Sequence, residues 1–309
     1  MAPGSQAAPA DDGTLPVATA WLRPVKLVFT WIALAAMAYA VWRSHAFLAS
    51  TWGQASVRGL TVAVLAWTAT HLVSPGFTLL VLGRDHPIDY RTALRVHALR
   101  LPAKYLPGGI WHMVGRVVDF RSLGHQRPAL VDFVLLENLV AAGFALGAGA
   151  MLLWAAGVAP RWATALGGTA ALAWLGLALV PWVLRLVTRS GRDFPPARYL
   201  KLLLLTCGFW LLAATSFVVF VRAFGGQTLQ ASLPALYGTY LFSWGAGFVA
   251  FFAPQGIGVF EFVSGKLLVG QIELAHVVAL MASFRVIVLA GDLMAWAVAV
   301  ALFRRPSVH

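Results

Sequence analysis

A chain of 309 residues that is 60% hydrophobic and only 11% charged carries more apolar surface than a water-soluble domain of that size can bury, so its solvent is a bilayer. No stretch is long and polar enough for a separate catalytic domain, which excludes an activity that needs a large water-facing fold. The net charge of +12, from 23 Lys and Arg against 11 Asp and Glu, gathers in particular connections and is read as membrane topology rather than as a nucleic-acid surface.

Residues 1–24 are small and polar with an acidic pair, a flexible tail without the basic start and cleavage site of a signal peptide. A single integral membrane domain follows over 25–303, and 304–309 close the chain as a second short tail. A spanning helix needs roughly 20 apolar residues. Such segments are predicted at 25–42, 57–82, 130–157, 162–187, 199–222, 232–252, 257–272 and 275–302, giving an all-α, polytopic transmembrane helical bundle of about eight segments. The second contains Pro75-Gly76 and can kink there; the seventh is short and flanked by glycines, as a half-helix would be.

Basic residues separate the connections into two kinds. Arg84, Arg91, Arg95, Arg100, Lys104, Arg116, Arg121 and Arg127 fall in 83–129, and Arg185, Arg189, Arg192, Arg198 and Lys201 in 185–201. The other connections hold only Arg43 and Arg58, then Arg161, then Arg222. The alternation places the rich connections and both termini in the cytoplasm, which eight crossings satisfy and six with an uneven re-entrant arrangement would satisfy too. The 83–104 stretch reads as a short amphipathic helix at headgroup level, with Arg91 and Arg95 on one face and Leu94, Ala98 and Leu101 on another.

Two segments break themselves. In KYLPGGIWHMVGR, positions 104–116, Pro107 removes a backbone donor, Gly108 and Gly109 permit unusual dihedrals, and an apolar run too short to cross resumes at Ile110 and Trp111. A re-entrant element followed by a half-helix fits, with Arg116 beside a polar cavity. In FFAPQGIGVFEF, positions 251–262, Pro254, Gly256 and Gly258 make a second interruption, and P-x-G-I occurs in both. Paired interruptions in the two halves are the sequence pattern of a transport site between inverted repeats. Glu137, Glu261, Arg285 and Asp292 lie within apolar segments, where an unpaired charge is costly; a structural salt bridge such as Arg285 with Glu261 is one reading, a site for a charged substrate group the other. Cations suit a lipid phosphate. Among the aromatics, Trp111 stands inside the break, while the other tryptophans read as interfacial anchors. The single cysteine, Cys207, forms no disulfide framework; the histidines lack ligand spacing, and no cofactor or metal motif is present.

KYLPGGIWHMVGR and APQGIGVFEF, with Arg285 in the last helix, resemble the membrane domain of the lysylphosphatidylglycerol synthase/flippase family over roughly residues 20 to 303. The resemblance is to stand-alone members that lack the soluble aminoacyl-transfer domain, so lysyl transfer is not implied. It implies a protein of the bacterial cytoplasmic membrane that moves an anionic phospholipid or a polyprenyl-linked intermediate between leaflets. Arg116 and Arg285 would meet the phosphate and Glu261 would balance them or read a basic headgroup. Lys104, Tyr105, Trp111 and Glu137 complete the expected lipid-binding set. Pro107, Gly108, Gly109, Pro254, Gly256 and Gly258 would shape the re-entrant elements; Gln255 departs from the glycine of many relatives. The partners are then the bilayer and its anionic lipid, with homo-oligomerisation left open. Two rivals are a membrane-embedded lipid-modifying transferase using Glu137 or Glu261, and a non-transporting partner of a lipid or cell-envelope glycan synthesis complex.

Overall fold

The computed structural model describes residues 31, 35, 38, 39, 41–84, 86–106, 110–188, 194–224, 231–250, 253, 256–268 and 274–303. Its helices are α1 (His45–Gly53), α2 (Val57–Val81), α3 (Tyr90–Leu99), α4 (Trp111–Ser122), α5 (Arg127–Ala155), α6 (Ala163–Thr188), α7 (Pro196–Arg222), α8 (Leu233–Val249), α9 (Val259–Leu268) and α10 (Leu274–Phe303). Five are long and apolar enough to cross a membrane: α2 with the 3-10 turn behind it, α5, α6 with the turn ahead of it, α7 and α10. The expected segments at 232–252 and 257–272 are α8 and α9, of 17 and 10 residues. At 1.5 Å per residue α8 reaches about 25 Å, short of the ~30 Å hydrocarbon core; residues 269–272 of the other segment lie outside the described residues. The expected segment at 25–42 lies mostly outside the described residues.

Local chemistry sets the helix starts. The Ser56 side chain accepts from the Gly59 N–H to cap α2, Asp89 accepts from Thr92 N–H to cap α3, and Ser232 does the same for Ala235 at α8. Proline occupies the first turn of α5, α7 and α8, where no donor is needed. Pro75 lies inside α2, which runs on unbroken as helix to Val81. The Ser74 hydroxyl donates back to Thr70 C=O at 3.1 Å there, and Gly76 admits Leu205 of α7 against the backbone.

Pairings fix which ends lie together. Ser56 N–H donates to Ala223 C=O at 2.7 Å, and Gly76 faces Leu205, so α2 and α7 are antiparallel. Tyr199 at the start of α7 donates to Leu177 C=O of α6 at 2.6 Å. Arg91 of α3 lies over the Phe303 ring at the end of α10. The two arginine-rich connections therefore sit at one end of the bundle. Between the ends, Trp210, Phe217, Tyr240, Phe260 and Phe284 pack edge to face in a buried aromatic core, and Phe120, Phe133 and Leu136 form a second one beneath α4.

Glycines let α5 and α8 touch through their backbones. A Cβ at Gly149 would overlap the Phe242 backbone, and one at Gly238 would meet Leu153 N at 3.0 Å. Gly149→Ala is expected to destabilise the protein by about 1–3 kcal/mol, read as a lower melting temperature in detergent. Gly167→Ala, which meets nothing within 4 Å, should melt with the wild type.

Candidate functional site

The charges that the sequence places inside apolar segments come together as three ion pairs, arranged around the two interrupted regions. The first is on α4 and α5. Arg116, 2% exposed, donates from Nη1 to Glu137 Oε1 at 2.9 Å and Oε2 at 3.0 Å, and its guanidinium lies 4.8 Å from the centre of the Phe133 ring. A guanidinium has five N–H donors in a planar fork. Here Nε and Nη2 are buried and have no hydrogen-bond partner among the described residues. That is an incomplete pair, because an unmet donor on a charged group is expensive.

The second pair centres on Asp292 of α10, which is 1% exposed. Its Oδ1 accepts from Trp67 Nε1 at 2.6 Å and lies 2.9 Å from His71 Nε2, both on α2. Its Oδ2 accepts from Lys104 Nζ at 2.8 Å and Tyr105 OH at 2.7 Å. Lys104 and Tyr105 come from the 3-10 turn Leu101–Tyr105, which carries the chain from α3 towards the first interruption. Burial and then the Asp292 carboxylate hold the Tyr105 phenol far above its usual range, with Arg285 opposing, so the hydroxyl stays a donor. His71 Nδ1 in turn lies 3.1 Å from His97 Nε2 of α3.

The third pair joins α9 to α10. Arg285 Nε donates to Glu261 Oε1, and Glu261 Oε2 accepts from Gly258 N–H at 2.7 Å. Glu261 is fully buried while a third of Arg285 is exposed, so the cation is the accessible member. Gly258 (φ +85°) and Gly256 (φ +65°) hold the turn that presents this amide. A Cβ on Gly256 would stand 2.9 Å from Gly247 Cα, so the end of α8 and the turn can meet only as glycine on glycine.

A fourth, more exposed contact ties α3 to α4. Arg100 donates from Nε and Nη2 to both Asp119 oxygens at 2.7 and 2.6 Å, over Gly115. It fixes α3 and α4 as two arms of one helical hairpin whose far end is the interrupted stretch.

Of the expected site residues, Lys104, Tyr105, Arg116, Glu137, Glu261 and Arg285 all take part in this charged row. Trp111 opens α4 with an exposed side chain. Gly256 and Gly258 form the second turn, whereas Pro107, Gly108, Gly109 and Pro254 lie outside the described residues. The pairing of Arg285 with Glu261 is the one anticipated salt bridge. Sequence reasoning missed Asp292 as the hub, along with Trp67, His71 and His97. A histidine and an aspartate inside apolar spans were the available signal, but their partners are more than 180 residues away in the chain. Comparison of the sequence with protein-family models and with curated proteins gave no match in either.

Proposed function

We propose that the protein is a multi-pass protein of the bacterial cytoplasmic membrane that binds and translocates an anionic phospholipid or a polyprenyl-linked lipid intermediate, in keeping with its resemblance to the lysylphosphatidylglycerol synthase/flippase family. The observation that carries this reading is the Arg116 guanidinium, buried on an aromatic ring, half-satisfied by Glu137 and left with two nitrogens free of hydrogen-bond partners among the described residues. A phosphate oxygen supplies what those donors lack. Arg285, the exposed member of its pair, offers a second contact.

The hairpins α3–α4 and α8–α9 support a pair of re-entrant elements, with interruptions that meet the polar row at membrane depth. The arginine-rich end of the bundle then faces the cytoplasm and its anionic lipid surface. The headgroup enters between the hairpins while the chains stay in lipid. Glu137 and Glu261 are each committed to an arginine, which supports transport over acid–base transfer chemistry.

The test is lipid scrambling in proteoliposomes containing fluorescent anionic lipids. Wild type should move at least one anionic headgroup. Glu261→Gln, which strips Arg285 of its counter-charge and weakens the cap on Gly258 N–H, should slow movement by about tenfold or more. Full activity in Glu261→Gln and Arg116→Ala, or no movement of any tested lipid by folded wild type, would overturn the reading.

A further inference from the structure

The hydrogen bonds around Asp292 determine where the protons of His71 and His97 sit. Four donors converge on its two oxygens, from Trp67, His71, Lys104 and Tyr105. A carboxylate so engaged only accepts, so His71 Nε2 carries a hydrogen. In its neutral form His71 presents a lone pair at Nδ1, and His97 Nε2, 3.1 Å away, then donates to it. What remains is the lone pair of His97 Nδ1, buried and without a hydrogen-bond partner among the described residues. The row runs from acid to imidazole to imidazole and ends in an open proton acceptor.

We propose that His97 Nδ1 is a proton-binding site linked to phosphodiester binding at Arg116, so that the protein takes up a proton together with its anionic lipid. This rests on the lipid reading above. The charges motivate the linkage. Lys104, Arg116 and Arg285 balance Glu137, Glu261 and Asp292. An arriving anion leaves a buried, balanced network one charge short, and such a deficit is costly in a medium of low polarity. His97, which feels the Arg116 charge and has an open Nδ1 among the described residues, is a group able to gain a positive charge.

Every element packed on His97 contributes to its protonation. His71 faces it from α2, Asp292 from α10, and Arg116 and His112 from α4; Lys104 and Tyr105 of the adjoining turn are engaged at Asp292. On α3 itself Arg95 is exposed and Arg100 is held by Asp119. Burial first, then Arg116, then His71 and His112 push the His97 ring well below the ordinary histidine range, and Asp292 pulls it up. A phosphodiester on Arg116 Nε and Nη2 cancels the strongest of the opposing charges. A proton from water then adds to His97 Nδ1 and gives an imidazolium; the Nε2 hydrogen can pass to His71 Nδ1 with no net change. Because the bound-state pKa is the higher one, affinity gains from low pH and loses that gain as pH rises through the bound-state value.

Dioctanoyl phosphatidylglycerol is the probe, because its phosphodiester keeps one charge throughout this range and any slope belongs to the protein. Binding to the purified full chain in detergent should tighten by about tenfold per pH unit wherever pH lies between the free and bound values of His97. Burial still holds the bound-state value below the ordinary histidine range, so over roughly pH 7 to 5 wild type should gain at least about fivefold, and a pH indicator in weak buffer near the low end should record up to about one proton taken up per lipid bound. His97→Gln, which can still donate to His71 but holds no proton, should bind with a flat profile and no uptake. His276→Gln, stacked on Phe47 far from the row, should keep the wild-type slope. Dimethyl phosphate separates the sources: binding as tight as the lipid's, with the same slope, keeps the proton linkage and removes the lipid reading. Lipid binding in wild type that is equally tight at both pH values overturns the linkage and leaves the lipid reading standing. Absence of binding by either probe at any pH overturns both.

Discussion

Asp292→Ala is expected to be the most damaging single change in the molecule, costing about 3–5 kcal/mol of stability, the range found when one member of a buried ion pair is removed. The substitution leaves the Lys104 ammonium without its counter-charge and takes the acceptor away from Trp67, His71 and Tyr105 at once. It also releases the turn at Leu101–Tyr105 from α10, which detaches the tip of the α3–α4 hairpin from the bundle. Thermal unfolding in detergent measures the loss. The double substitution Lys104→Met with Asp292→Leu should recover part of it, because two apolar groups carry no desolvation debt. If Asp292→Ala melts with the wild type, the hub is not holding α2, α10 and the hairpin together.

Arg116→Lys is expected to separate stability from lipid handling. The ammonium can still face Glu137, so melting should stay within about 1 kcal/mol of wild type. What it lacks is the second edge of the guanidinium fork. Losing one charge-assisted hydrogen bond of about 1.5–3 kcal/mol corresponds to a roughly 10–150-fold loss in anionic-lipid binding and scrambling, and losing two to a larger one. Arg116→Ala should lose both, because Glu137 is then left without its cation. Scrambling by Arg116→Lys at the wild-type rate would make the arginine a structural strut and leave the Nε and Nη2 donors without a role.

Part of this architecture is legible in the chain because it depends on neighbours in sequence. Long apolar runs bounded by Ser56 and Pro196, and the short amphipathic stretch after Asp89, read directly as helices, since caps and hydropathy act over a few residues. Arg116 and Glu137 could be singled out as costly charges among apolar residues without knowing that they meet. What packs beside Pro75 is not written in the local sequence: Leu205 of α7 lies against Gly76, and the chain continues as helix to Val81. The short reach of α8 was only half visible. The glycines mark the break, but the contact of Gly247 with Gly256 sets where it falls.

Composition and the spacing of apolar, basic and helix-breaking residues by themselves determined that this is a helical protein with membrane-length segments, interrupted twice and carrying isolated charges within them. Hydropathy, proline and glycine act locally, so their effects can be read one segment at a time. Only the tertiary structure decided which charge answers which, making Asp292 of α10 the common acceptor for donors from α2 and the turn at Leu101–Tyr105, and leaving Arg116 Nε and Nη2 and His97 Nδ1 without partners among the described residues. A buried charge needs a partner but does not specify one. The choice is made by helix packing over separations of up to 225 residues, a distance that no local pattern records.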